Sequence, residues 1–138
     1  MKRKIVLLLI GCIIISCLCG SISAANSDSY DLYRWTNILS VEGRISFDGT
    51  DGNYSMVISG VSDVSKITAT AKLYYKSANG NWVEDPKNWT YSVDDYELIV
   101  DEDFKGVKGR DYKVIIDASV YRKGSSEKVT KTSTGTCS

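Results

Sequence analysis

Side chains that commonly carry out chemistry are scarce in this sequence of 138 residues. It contains no histidine, which removes the commonest general base and the commonest metal ligand. Three of its four cysteines, Cys12, Cys17 and Cys19, lie in an apolar N-terminal run, so Cys137 is the one thiol in the rest of the chain. Cysteine–histidine catalysis and a thiolate zinc site therefore cannot be assembled. The sequence also lacks a Gly-rich phosphate loop and a Gly-x-Ser-x-Gly nucleophile motif.

Carboxylates are the remaining catalytic candidates, and they cluster at Asp94-Asp95 and at residues 101–103. A glycosidase needs two carboxyl groups that face each other across the substrate at about 5 to 10 Å. Neighbouring residues of a strand point to opposite faces, so neither cluster supplies such a pair by itself. We therefore predict no catalytic residues and a protein that is not an enzyme. A carboxylate pair drawn from different strands stays open as the alternative.

The segment FDGTDGNYS, residues 47–55, groups several side-chain oxygens, as calcium-binding loops do. Those oxygens belong to Asp48, Asp51 and Asn53. An EF-hand loop needs ligands at its first, third and fifth positions and a glutamate at its twelfth, and the spacing here does not match. The sequence therefore predicts a glycine-rich hairpin turn at Asp51-Gly52, no metal site and no cofactor. A weak calcium site completed by Asp101 and Asp103 is the alternative.

Aromatic residues are the last candidates, and KLYYKSANGNWVEDPKNW (72–89) holds two tyrosines and two tryptophans around Asn79-Gly80. Exposed rings often mark contact surfaces, and secreted carbohydrate-binding modules stack such rings on sugar faces. The candidate binding residues are Tyr74, Trp82, Trp89, Tyr91 and Tyr121. Alternation along the strand turns Tyr74 outward, and Tyr74, Tyr91 and Tyr121 are predicted to form an exposed stripe. Packing in the core is the competing interpretation for each tryptophan.

The N-terminus has the order of a secretory signal peptide. Three cations, Lys2, Arg3 and Lys4, precede an uncharged apolar run over 5–18, and small residues lead to Ala24 and Ala25. The run is shorter than the roughly 20 residues that span a bilayer as a helix, so we predict no stable membrane insertion. Cleavage after Ala24 or Ala25 predicts a secreted, extracellular protein.

A second processing route is open at Cys17. The tetrapeptide Ile14-Ile15-Ser16-Cys17 resembles the lipobox that precedes the acylated cysteine of bacterial lipoproteins. Its use would leave a lipid anchor on Cys17 and place the protein at the outer face of the cell membrane.

The net charge identifies no partner, but it argues against one class of partner, nucleic acid. Without residues 1–25, Lys plus Arg falls from 17 to 14 against 17 Asp plus Glu, a net charge of −3. A mildly acidic chain without a basic block is not expected to bind nucleic acid. The expected partner is an unknown protein or a cell-envelope glycan.

The mature segment shows the alternation of apolar and polar residues that is typical of strands. Predicted strands cover 41–47, 54–59, 66–76, 81–84, 89–93, 96–101, 110–122 and 126–132. Asp85-Pro86 is predicted to end one of them, because proline has no ladder donor. Short strands with a turn every eight to twelve residues predict an all-β fold, a single antiparallel sandwich of seven or eight strands like those of immunoglobulin and fibronectin type III domains.

The predicted organisation has four parts: a signal peptide over 1–25, a lead-in over 26–40, the sandwich over 41–134 and a frayed tail over 135–138. Residues 29–40 are the one helical candidate, with Leu32, Trp35 and Leu39 on one face, and an irregular segment is the alternative.

Two resemblances support this fold. The segment GVKGRDYKVIID, residues 106–117, resembles the start of strand F in fibronectin type III and related domains. There, a tyrosine hydroxyl bonds back to the preceding loop, and Tyr112 occupies the matching position. More broadly, the succession L-Y-Y-K, S-A-N-G-N-W-V-E, D-Y-K-V and Y-R-K-G resembles uncharacterised small secreted β-domain proteins of Gram-positive bacteria.

These resemblances imply a secreted β-domain and bring no active-site residues. The expected function is a secreted, non-catalytic interaction domain that binds a protein or cell-envelope partner. The alternative is a carbohydrate- or cell-wall-binding module that uses exposed aromatic residues.

Overall fold

The computed structural model describes residues 35–138, which form seven strands. They are β1 (Ile38–Asp48), β2 (Asp51–Gly60), β3 (Lys66–Lys76), β4 (Trp82–Val93), β5 (Glu97–Lys105), β6 (Asp111–Arg122) and β7 (Ser125–Thr136). The signal peptide, Cys17 and most of the lead-in lie outside the described residues.

The strands form two sheets, ordered β1-β2-β5 and β4-β3-β6-β7, and every neighbouring pair is antiparallel. This confirms the predicted all-β sandwich of the immunoglobulin and fibronectin type III kind. Within the described residues, no helix is long and apolar enough to cross a membrane.

Alternation places the core between the sheets. The inward residues of β3 and β6 are buried: Ile67, Ala69, Ala71, Leu73, Tyr112, Val114, Ile116, Ala118 and Val120. They face Tyr54, Met56 and Ile58 of β2, which are also buried. Each large aliphatic side chain so buried contributes about 1.5–3 kcal/mol, which fixes the faces of the long strands. Their other faces are therefore left for contact with solvent or a partner.

Strand β4 replaces the two predicted strands over 81–84 and 89–93, the first of which was predicted to end at Asp85-Pro86. The register jumps from Tyr74↔Glu84 to Lys72↔Asn88, so three residues of β4 oppose one residue of β3. Pro86 lies in this bulge of an edge strand, where its missing N–H breaks no ladder hydrogen bond. The strand therefore continues through the proline.

Of the two predicted tight turns, the structure confirms the one at Asn79-Gly80 and moves the one predicted at Asp51-Gly52. Gly80 has a φ of 81°, which confirms the tight turn between β3 and β4 at Asn79-Gly80. The first reversal instead falls at Gly49, with a φ of 59°, because Gly52 already belongs to β2. A Cβ on Gly52 would lie 2.7 Å from the ring of Phe104, so this glycine permits close packing.

The tail predicted to be frayed is packed. Strand β7 continues to Thr136, and Cys137 is fully buried. The backbone N–H of Cys137 donates to the carbonyl of Arg110 (3.0 Å), and its carbonyl accepts from the N–H of Gly109 (2.6 Å). The prediction was wrong because the end of the chain pairs with the β5–β6 loop, and polar composition does not reveal that.

The N-terminal boundary is also corrected. Strand β1 begins at Ile38, inside the predicted lead-in, and residues 35–37 are not helical. The Glu127 carboxylate accepts hydrogen bonds from the backbone N–H groups of Thr36, Asn37 and Ile38 at 2.8–3.2 Å. These three N–H groups bond to one carboxylate from β7 and not to carbonyls of a preceding helical turn, and the chain bends at residues 36 and 37 before it enters β1.

The loop before β6 shows the predicted tyrosine corner. The buried hydroxyl of Tyr112 accepts a hydrogen bond from the backbone N–H of Val107 at 2.8 Å. This is the hydrogen bond that the resemblance of 106–117 to strand F predicts, and it holds the loop that precedes β6.

Candidate binding surface

The outer face of the four-stranded sheet divides into two regions. Most of it is polar and short-chained: Thr68, Thr70, Thr90, Ser92, Ser119, Thr130, Thr132 and Thr134 occupy outward positions on its four strands. At the end next to the β3–β4 turn, the residues are instead Tyr74 and Lys76 of β3, Trp82 of β4 and Lys113 of β6. We call these four residues the aromatic–cation patch.

Strand register assembles the patch. Lys76 pairs with Trp82 across β3 and β4, and Tyr74 pairs with Lys113 across β3 and β6. The Lys113 ammonium lies 4.6 Å from the centre of the Trp82 ring and 5.1 Å from that of Tyr74. Lys76 lies 5.9 Å from the Trp82 ring. All three distances fall within cation–π range, so one ammonium is shared by two rings.

Tyr74 is oriented by a carboxylate on the neighbouring strand. Its hydroxyl donates to Oε2 of Glu84 at 3.1 Å, while Oε1 of Glu84 lies 3.3 Å from the Lys72 ammonium. Loss of hydration and then the Glu84 carboxylate raise the pKa of the Tyr74 hydroxyl above its usual value. The phenol therefore stays protonated at neutral pH, and its hydroxyl is held by Glu84 while its ring contacts Lys113.

A groove adjoins the patch between the β3–β4 turn and the β5–β6 loop. Its volume is about 310 Å³, and its lining residues are Lys76, Ser77, Ala78, Val107, Lys108, Gly109, Arg110 and Asp111. The Arg110 guanidinium lies 4.6 Å from the centre of the Tyr75 ring, and Lys76 lies 3.5 Å from the carboxylate of Asp111. The groove and the patch share Lys76, so they form one continuous surface.

This surface is positive in an acidic chain. Its cations are Lys72, Lys76, Lys108, Arg110 and Lys113, and its carboxylates are Glu84, Asp111 and the neighbouring Asp117 of β6. Glu84 is paired with Lys72, and Asp111 is paired with Lys76. The local excess of positive charge would attract an anion, although residues 26–138 as a whole carry −3.

Trp89 and Tyr91 are on the other side of β4. They pair with Ala71 and Ala69, point inward and pack half-buried against the core. Trp89 stacks on Tyr54 with ring centres 5.9 Å apart and 28° between the planes. The Tyr91 hydroxyl donates to Glu102 at 3.2 Å, and burial followed by this carboxylate holds the Tyr91 pKa well above its usual range. These two rings therefore serve the sandwich and do not join the outer surface.

Tyr121 is exposed on the outer face but far from the patch. It pairs with Lys66, whereas Lys113 pairs with Tyr74, so the two tyrosines lie eight residues apart along β6. At about 3.3 Å per residue, the separation is about 26 Å. The predicted stripe of Tyr74, Tyr91 and Tyr121 is therefore wrong: one ring is inward and the other two are at opposite ends.

The cations of this surface were missed by the sequence analysis. Counting the strand register back from the turn at Asn79-Gly80 places Lys76 opposite Trp82, so this contact could have been predicted from the local sequence. Lys113 and Arg110 reach the rings only because β6 lies beside β3, a long-range pairing that alternation does not specify.

The acidic turn residues form a different region, next to a second cavity. This cavity has a volume of about 630 Å³ and is lined by Ser46, Phe47, Asp48, Asp51, Gly52, Asn53, Lys87, Asp103, Phe104 and Lys105. The Asn53 side-chain amide donates to the carboxylates of Asp101 and Asp103, and Lys105 pairs with Asp51. From residue 35 onward, no group of three or more Cys, Asp or Glu residues is arranged to hold a metal ion.

Comparisons with known proteins do not assign a family. No protein-family model matches the sequence, and no curated protein matches it. Similar solved structures include the β-glucuronidase of Parabacteroides merdae, alone and with glycerol in its active site, at 13% identity and TM-scores of 0.39 and 0.38. The matches cover 71% and 70% of this chain but 13% of the enzyme chain. A similarity this distant assigns no activity to the present chain.

Proposed function

We propose that the protein is a secreted, non-catalytic binding domain whose contact surface is the aromatic–cation patch with its adjoining groove, and whose partner carries negative charge. The single observation behind this proposal is the position of Lys113. Its ammonium lies within 5.1 Å of two ring centres on the outer face of a rigid sheet.

The exposure of Trp82 supports a contact role. The residue keeps 38% of its surface exposed, although it is the largest side chain on its face. Tryptophan, tyrosine and arginine dominate the energetics of binding surfaces because they bury a large area at a small cost in conformational entropy. Here the rings are held by strand register, so little ordering is left for the moment of binding.

The non-catalytic part of the proposal rests on the chemistry of the side chains. The sequence has no histidine, Glu84 and Asp111 are engaged by lysines, and Asp117 accepts a hydrogen bond from Thr130. Lysine, arginine and a protonated Tyr74 attract and orient an anion, but they supply no general base near neutral pH. Secretion is supported by the pattern of residues 1–25, and an anchor at Cys17 would place the same surface at the cell exterior.

Capture from a bacterial cell envelope tests the proposed surface. The immobilised mature chain is incubated with a Gram-positive envelope fraction, together with Trp82→Ala and a control, Tyr121→Ala. Tyr121 is exposed to 39% on the same face at its opposite end, so it matches Trp82 in exposure but not in position. We expect Trp82→Ala to lose the captured material and Tyr121→Ala to retain it. Equal capture by both variants would contradict the proposed surface.

A further inference from the structure

We infer that the ligand of this surface is an anionic polysaccharide, a chain of sugar or polyol units that carry carboxylate or phosphate groups. The inference rests on the proposed function and names the ligand class of the same surface. It combines three features of the outer face: unpaired cations, an exposed ring and rows of hydroxyl groups.

The unpaired cations are the reason to expect an anionic ligand. Lys72 and Lys76 each have a carboxylate within 3.5 Å. Lys108, Arg110 and Lys113 form no ion pair with any residue of 35–138. Arg110 and Lys113 instead rest on the rings of Tyr75, Tyr74 and Trp82. A cation on a ring keeps part of its hydration and its donors, so it can still bind an anion.

The spacing of the cations favours a repeated charge. Trp82, Lys76 and Lys113 lie on three adjacent strands, β4, β3 and β6. Neighbouring strands are about 4.8 Å apart, so the patch is about 10 Å wide before the groove with Lys108 and Arg110 is added. The cations extend from Lys113 and Lys76 on the sheet into the groove with Lys108 and Arg110, so a single carboxylate or phosphate would leave most of them without an anion. A chain with an anionic group on successive units would meet several.

The rest of the face favours a sugar over an acidic protein. The centre of a protein interface is apolar and poor in charged residues. Here the rings are surrounded by lysines, and Ile115 is the aliphatic residue among the outward positions of β6. Beyond the patch, the sheet presents threonine and serine hydroxyls in adjacent rows. A polyhydroxylated chain can stack its C–H face on Trp82 and exchange hydrogen bonds with those hydroxyls.

Four polymers distinguish the possible ligands. Binding of the mature chain is measured by isothermal titration with polygalacturonate, which carries carboxylates, and poly(glycerol phosphate), which carries phosphodiesters. Dextran is the uncharged polysaccharide, and poly-L-glutamate is the anionic peptide. Each titration is repeated with Trp82→Ala, Lys113→Gln and the control variants Tyr121→Ala and Lys128→Gln. Lys128 is an exposed lysine of β7, outside the patch.

We expect polygalacturonate, poly(glycerol phosphate) or both to bind, and the responding polymer identifies the anionic group. Trp82→Ala and Lys113→Gln should each weaken that binding at least about tenfold, as expected for central contact residues. The control variants should bind like the wild type, and added salt should weaken binding because exposed charges are screened. Unchanged unfolding midpoints would show that the variants remain folded.

Three results would overturn the inference. Dextran bound as tightly as polygalacturonate would remove the requirement for charge. A second contrary result is that poly-L-glutamate binds in a Trp82-dependent way and neither anionic polymer binds. The ligand would then be an acidic protein, and the proposed function would stand. No Trp82-dependent binding of any polymer, combined with envelope capture that survives Trp82→Ala, would overturn both the ligand class and the proposed function.

Discussion

Trp82 and Trp89 lie on the same strand, β4, and have opposite environments. Trp82 points outward and shares Lys113 with Tyr74. Trp89 points inward, stacks on Tyr54 and has its own lysine, Lys87, with the ammonium 5.6 Å from the ring centre. Their positions differ by seven, an odd interval that places them on opposite faces, and the bulge between them preserves the alternation. The same residue type thus packs against the core on one face and lies exposed on the other, where we propose that it contacts a ligand.

The two lysines show the difference most clearly. Lys87 also donates a hydrogen bond to the carbonyl of Asp103 at 2.6 Å, so it links the edge strands β4 and β5 of the two sheets. Lys113 lies over the exposed ring of Trp82 and the half-buried ring of Tyr74, and it forms no ion pair within 35–138. Lys87 is therefore engaged by a contact between the two sheets, whereas the Lys113 ammonium has no carboxylate partner among these residues.

The largest expected effect comes from removing the inner ring. Trp89→Ala should lower the free energy of unfolding by about 3 kcal/mol, because it deletes a large ring that packs against the core. Trp82→Ala should lower it by less than about 1 kcal/mol, because that ring contacts mainly surface side chains. Urea unfolding followed by circular dichroism measures both values. Similar losses in the two variants would show that the outer ring also supports the fold.

A second comparison uses two tyrosine hydroxyls. Tyr112→Phe leaves the N–H of Val107 without its acceptor and should cost about 1–2 kcal/mol of unfolding free energy. Tyr74→Phe removes an exposed hydrogen bond to Glu84, which water replaces, so the unfolding midpoint should not move measurably. Thermal and urea unfolding of both variants check this. Equal stability of Tyr112→Phe and the wild type would mean that the tyrosine corner does not stabilise this domain.

The sequence predicted the parts of this comparison that depend on local pattern. Alternation assigned the faces of β3 and β6, the glycine turn located the β3–β4 hairpin, and residues 106–117 located the tyrosine corner. The faces of Trp82 and Trp89 were not related to each other, because Pro86 was taken to end the strand between them. Since the bulge absorbs the proline without changing the phase, one continuous strand would have assigned both rings.

The remaining features depend on contacts between distant segments. Lys113 reaches Trp82 only through the order β4-β3-β6, and no property of either residue specifies that order. Cys137 is buried because the β5–β6 loop supplies partners for its backbone. A polar, threonine-rich end of the chain looks the same in sequence whether it frays or pairs, so only the fold separates the two outcomes.

The inner stack contains one unsatisfied polar group, which gives a smaller prediction. The hydroxyl of Tyr54 is buried and has no hydrogen-bond partner within residues 35–138. Tyr54→Phe removes that group and keeps the stack on Trp89, so it should stabilise the fold by up to about 1 kcal/mol. Urea unfolding at neutral pH measures the change. Destabilisation would mean that the hydroxyl is hydrogen-bonded in solution.

The buried hydroxyl of Tyr54 should also make the stability of the fold depend on pH in the alkaline range. Burial, and next the neighbouring Tyr91, hold the pKa of Tyr54 well above its usual value near 10. A raised pKa in the folded state means that this contribution to stability is complete below pH ~10 and is lost as the pH rises further. The wild type should therefore lose stability as the pH rises above about 10, and Tyr54→Phe should lose less. Identical slopes for the two proteins would contradict this account.

The smallest expected effects concern the two lysines. Lys87→Met should cost about 0.5–1 kcal/mol, because it removes a cation–π contact and a bridge to Asp103. Lys113→Met should cost less than about 0.5 kcal/mol, because Lys113 has its contacts with two rings but no hydrogen bond or ion pair from its ammonium within residues 35–138. Double-mutant cycles isolate each contact, Lys87 with Trp89→Ala and Lys113 with Trp82→Ala.

The coupling energies decide whether the two faces differ in kind. A large coupling between Lys87 and Trp89 and a small one between Lys113 and Trp82 would mean that the outer ammonium loses little when it turns toward a ligand. A ligand anion then gains nearly the full interaction with Lys113. Equal couplings would mean that Trp82 already holds the ammonium as firmly as Trp89 holds Lys87. In that case the outer patch would be a second stabilising cluster, and the difference in role between the two tryptophans would disappear.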